Sequence, residues 1–170
     1  MPLTKEHETE FLCTFAKAML AWQYVENVLF MIFNTVLNHE TPELISAAFY
    51  AVTSLEVRLS MVSEVINIAI QDASLKDQWK PLRKRTKKGY VSRNKFAHWT
   101  TTAVTSGDET TLKLTSTVLK ISSRAAPEHD FKEITEFRNS FHRLADDLFD
   151  FQKAIGIHIG KRTPLPRLFP

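Results

Sequence analysis

Hydrophobic positions recur every three to four residues through the first segment of the chain, about Thr4–Asn38, at Phe11, Phe15, Met19, Trp22, Leu29, Ile32, Phe33 and Val36. That period is helical, and no Gly or Pro interrupts it. His39-Glu40-Thr41 breaks the pattern, and Thr41 followed by Pro42 is a favourable helix start, because proline's missing N–H is not needed in the first turn. A second helix is predicted from there to about Ile70, with Ile45, Phe49, Val52, Leu55, Leu59, Val62, Ile66 and Ala69 along one stripe. The short break makes these two helices antiparallel neighbours.

Asp72-Ala73-Ser74 starts a third helix, in which Pro81 and Gly89 are the weak points. Proline removes a ladder hydrogen bond and glycine costs about 1 kcal/mol against alanine. A kink or break is expected near one of them, so that Tyr90–Trp99 begins a new helical piece. After Trp99 the residues turn to Thr, Val and Leu, with Ser106-Gly107-Asp108 as a turn and Leu112, Leu114 and Val118 on alternate positions. This predicts a β-hairpin over about 100–121. A last helix, about Glu128–Ile155, carries Phe131, Ile134, Phe137, Phe141, Leu144, Leu148, Phe151 and Ile155, and Gly156 is expected to end it. The fold class is therefore all-α: an antiparallel bundle of four to five helices, with a small hairpin inserted before the last. Residues 1–156 form one domain and 157–170 a loose or partner-bound tail. Phe149 lies off the main stripe of the last helix, and spare apolar surface of this kind suggests a dimer.

Composition changes this picture little. A hydrophobic content of 44%, with 4 Gly and 7 Pro, excludes a disordered chain. The longest uncharged apolar runs, Val28–Phe33 and Ala47–Val52, fall far short of the ~18 residues that span a bilayer. Cys13 is the single cysteine and is expected to pack in the first helix; a reducing compartment follows. The acidic, polar start of the chain does not read as a signal peptide, so a soluble cytoplasmic protein is expected. No cofactor is implied: histidines are scattered without metal-ligand spacing, and no glycine-rich phosphate loop occurs.

Charge adds more. The net charge is only +3, but residues 76–98 hold nine of the 22 Lys and Arg against one acid, Asp77. One-signed runs repel unless an anion lies near, so this segment is read as phosphate-binding, with Lys84, Lys87, Lys88 and Lys95 as the contacts. At its end stands Arg93-Asn94-Lys95-Phe96-Ala97-His98. A guanidinium neutralises phosphate, and an imidazole moves a proton near neutral pH. Asn94 and His98 share a helix face, whereas Arg93 and His98 lie about 140° apart on a regular helix. Either Arg93 sits at a helix start or its side chain wraps around.

The string resembles the RNxxxH form of the Rx4–6H motif of HEPN-domain proteins, a superfamily of helical bundles. The helical core, about residues 4–99 and 128–155, is compatible with that fold. The resemblance implies a metal-independent endoribonuclease of the toxin or defence-effector kind, with Arg93, Asn94 and His98 as the catalytic set. It implies RNA as substrate, a homodimer whose two motifs line one cleft, and an antitoxin protein as a further partner. The alternative within the same family is a non-catalytic module that binds RNA, nucleotide or protein. A structural reading also stays open, with Arg93 a solvated charge and His98 packed between Phe96 and Trp99. Arg138-Asn139-Ser140-Phe141-His142 is a near match with shorter spacing, and its Arg and His read as a surface i, i+4 pair. Glu26 and Arg58, each on an apolar stripe, are expected to pair with each other.

Overall fold

The computed structural model describes residues 4–38, 41–107, 109–116 and 128–160. Over these the chain is an all-α bundle of five helices: α1 Lys5–Leu37, α2 Pro42–Ala51, α3 Leu55–Ala69, α4 Ala73–Ala97 and α5 Phe131–His158. A hairpin, β1 Trp99–Ser106 and β2 Glu109–Ser116, precedes α5 as expected. Its predicted continuation through Val118 to 121, the break at His39-Glu40 and the tail from Lys161 lie outside the described residues.

Four boundaries differ from the sequence reading, each for a local reason. The expected helix from Pro42 to Ile70 is two helices, separated by Val52-Thr53-Ser54. Val52 and Ser54 are extended, the Ser54 hydroxyl accepts from the Val57 N–H, and the Arg58 Nε donates to the Val52 carbonyl at 2.7 Å. Serine at an N-cap satisfies a donor that the helix start leaves open. The apolar stripe continues across this joint, which is why periodicity alone does not reveal it.

Conversely, α4 runs unbroken through Pro81 and Gly89, and no new piece begins at Tyr90. Buried Trp79 and Leu82 flank exposed Pro81, and ion pairs from Arg85 to Asp147 (2.5 Å) and from Lys87 to Glu56 (2.6 Å) tie down the same stretch. Packing of this kind offsets the ~3 kcal/mol that proline costs inside a helix.

The last helix starts at Phe131, not Glu128. Glu128–His129 instead form a short strand, β3, that pairs antiparallel with β2 through Leu114↔His129 and Thr115↔Glu128. Asp130 then closes a capping box: its carboxylate accepts from the Glu133 N–H (2.8 Å), and its own N–H donates to the Glu133 carboxylate (3.0 Å). At the other end α5 continues past Gly156, which is buried inside it, to His158. Gly160, at φ 79°, takes the left-handed position that follows the helix end.

Two compact units are described separately. The first comprises residues 1–23 and 88–142. Trp22 meets Phe141 edge-on at 5.2 Å and Tyr90 at 6.3 Å, while Phe96, Phe137 and His129 form a second aromatic group. In the hairpin, Ser106 pairs with Glu109, and Gly107 at φ 61° supplies the left-handed backbone that the tight turn requires. Leu114 is the hairpin residue sunk in the core, at 1% exposure.

The second unit comprises residues 24–87 and 143–170. Val28, Ile32, Phe49, Val62, Ile66 and Leu148 are fully buried in it. Two buried polar contacts tie it together: the Trp79 indole N–H donates to Ser63 Oγ at 2.9 Å, and Gln152 Nε2 donates to Thr35 Oγ1 at 2.8 Å. The expected Glu26–Arg58 pair is present at 3.1 Å. Phe149 is buried at 3% exposure, with Lys153 Nζ 4.5 Å above its ring, so it offers no spare surface for a dimer. Cys13 is exposed on α1 instead of packed. No helix among the described residues is long and apolar enough to cross a membrane.

Candidate nucleic-acid site

The end of α4 is fixed by one side chain. Phe96 is 1% exposed and meets Phe137 edge-on at 4.6 Å and the His129 ring at 5.5 Å. With Phe96 committed inward, Lys95, Ala97 and His98 are all exposed. Helix α4 finishes at Ala97, and His98 lies in the following turn, its N–H donating to the Lys95 carbonyl at 3.3 Å. The reading of His98 as a packed core histidine is overturned, because its side chain faces solvent. The histidine held among aromatic rings is His129, whose Nδ1 lies 3.3 Å from the Glu133 carboxylate. Sequence reasoning passed over it as one of several scattered histidines; a two-residue strand leaves no periodic signal around it.

Because α4 is continuous, Arg93 lies within the helix and not at the start of one. The departure from regular helix falls at His98 instead, one residue beyond the end of α4. Arg93 and Asn94 are half-buried, and Arg93 Nη1 donates to Asn94 Oδ1 at 3.2 Å. The amide oxygen of Asn94 is thus committed to the guanidinium. Arg93 Nε is shielded from solvent without a hydrogen-bond partner among the described residues. A buried donor on a charged group is costly to leave unmatched. The near match at Arg138 shows the same local habit: its Nε and Nη2 both donate to Asn139 Oδ1, at 3.2 and 3.1 Å, and neighbouring His142 is exposed.

The expected phosphate-binding lysines divide into two groups. Lys88 and Lys95 are exposed and form no ion pair among the described residues. Lys84 and Lys87 line a groove of about 750 Å³ together with Lys76, Lys80 and Arg83 of α4 and Asn67 of α3. Lys87 is held by Glu56 of α3. The participation of Lys76, Lys80 and Arg83 was readable from sequence only as charge density; their common helical face is the stronger signal. Glu26 does not serve as a free carboxylate, since Arg58 engages it.

No protein-family model, curated protein or solved structure matches this chain.

Proposed function

We propose that the chain is a HEPN-like endoribonuclease that needs no metal ion, of the toxin or defence-effector kind. The observation that supports this reading is the exposure of His98 just past the end of α4, five residues after an arginine whose guanidinium is held by Asn94. The neutral His98 imidazole takes the proton of a ribose 2′-OH as that oxygen attacks the adjacent phosphorus. The bond to the 5′ oxygen breaks, and the departing oxygen is protonated by the imidazolium or water. A 2′,3′-cyclic phosphate and a 5′-OH result. Arg93 stabilises the charge that builds on the phosphoryl oxygens, and Asn94 holds that guanidinium in place. General-base assistance contributes about 10²–10⁴-fold. Two protomers pair so that both motifs line one cleft, and the protein acts in the cytoplasm.

A non-catalytic RNA-binding module is the second reading, favoured by the half-burial of Arg93 and its bond to Asn94, which also suit a structural pair. An RNA oligomer carrying a 2′-deoxyribose at the cut linkage separates the two. Under the nuclease reading that oligomer is bound but not cut there, while its all-ribose counterpart is cleaved. Binding of both without cleavage of either selects the module.

A further inference from the structure

We propose that the groove between α3 and the first half of α4 is a backbone-binding site for single-stranded RNA, built to hold phosphates without reading bases. The inference rests on the reading of the chain as an RNA-acting protein and names where the strand is held.

Five cations line the groove, Lys76, Lys80, Arg83, Lys84 and Lys87, against one acid, Asp77. At 100° per residue they fall within about 100° of one another on α4, and they cover about 16 Å of its axis. Two are neutralised: Lys80 by Asp77 at 2.7 Å and Lys87 by Glu56 at 2.6 Å. Lys76 spends one donor on the Asn67 carbonyl at 2.9 Å but meets no acid there. Arg83 and Lys84 are exposed and form no ion pair among the described residues. Three positive charges therefore remain unbalanced along one helix face. A line of like charges raises the free energy of the isolated protein and is relieved by a line of opposite charges.

The chemistry of the walls narrows the ligand further. Trp79 is 4% exposed, its indole N–H is bonded to Ser63 and its ring stacks on Phe151 at 5.7 Å, so it offers no face to a base. The Ser63 hydroxyl is committed as well, donating to the Leu59 carbonyl at 2.7 Å. Among the described residues the lining holds no open aromatic platform for base stacking, and no open apolar anchor of the kind that dominates protein–protein interfaces. A strand held there is gripped through its phosphates, without sequence preference.

The test is binding of fluorescein-labelled oligouridylate and oligoadenylate by the full chain across a range of salt concentrations. Each phosphate contact to a single strand contributes about 0.7 to the slope of log affinity against log salt. Replacing Arg83→Gln and Lys84→Gln together is expected to lessen that slope by about 1.4, and to weaken both oligomers alike. Lys17→Gln, at an exposed lysine that does not line the groove, is expected to leave the slope unchanged. Both groove residues are exposed and form no ion pair among the described residues, so the unfolding midpoint should hold, and Lys76→Gln gives an independent variant with the same direction of change. An unaltered slope in the double variant overturns the proposal. Loss of binding to polyglutamate with RNA binding intact also overturns it, in favour of an acidic protein partner. RNA cleavage that depends on His98 would survive either failure, whereas loss of the nuclease reading alone would leave the salt slopes as stated.

Discussion

Replacing Gly89 by alanine sets two known effects against each other at one half-buried point. Gly89 lies inside α4, where alanine is favoured by about 0.8–1.0 kcal/mol. A Cβ built there would stand 2.8 Å from Trp22 Cζ3 and 3.5 Å from Phe141 Cε1. The first distance is too short for a carbon–carbon contact, so either the indole or the helix must move. Trp22 is 2% exposed and is held edge-on by Phe141 at 5.2 Å, which leaves its ring little room. Overpacking of this kind costs about 1–3 kcal/mol. The expected net effect of Gly89→Ala is a loss of about 1 kcal/mol, read as a lower urea midpoint, with a fall in Tm of about 2–4 °C for a chain of this size. In a Trp22→Phe background the ring no longer reaches the new methyl group, and Gly89→Ala should become stabilising. A rise in midpoint for the single variant would refute the reasoning, because it would mean that the indole yields freely.

The Arg58–Glu26 pair offers another check. The Arg58 side chain is 11% exposed and also serves the Val52 carbonyl, so Arg58→Met should cost about 1–3 kcal/mol by taking the guanidinium from both the Glu26 carboxylate and that carbonyl. Urea unfolding measures this, and adding Glu26→Gln should recover part of the loss. Tyr50 supplies a pH dependence: burial lifts its phenol above the usual value near 10.0, Arg58 draws it back in part, and Glu26 adds to the lift. The folded state therefore holds the phenolic proton more tightly, so the stability contribution is complete below about pH 10 and is lost as pH rises beyond it. Unfolding midpoints followed upward from about pH 9 should decline less steeply in Tyr50→Phe than in the wild type.

The sequence made the helical core legible because long apolar stripes are unambiguous over three turns or more. It also paired Glu26 with Arg58, since two opposite charges on apolar stripes have few other ways to be accommodated. Local breaks were harder. Val52 continues an apolar stripe and yet leaves the helix, while Pro81 and Gly89 carry breaking propensity and yet stay within one. In each case tertiary contacts decide: Arg58 on the Val52 carbonyl, the packing around Trp79, and the Trp22 ring against Gly89. The motif residues were visible by type and spacing. Their surroundings were not, because exposure of His98 follows from burial of Phe96 against rings that lie more than thirty residues further along the chain.

The most direct test is to characterise the RNA ends produced in EDTA by the wild type and by His98→Ala. The account expects 2′,3′-cyclic phosphate and 5′-OH ends from the wild type, and a loss of about 10²–10⁴-fold in their rate of formation in the variant, with RNA affinity retained. Equal cleavage by the two proteins, or no cleavage by either, would contradict it.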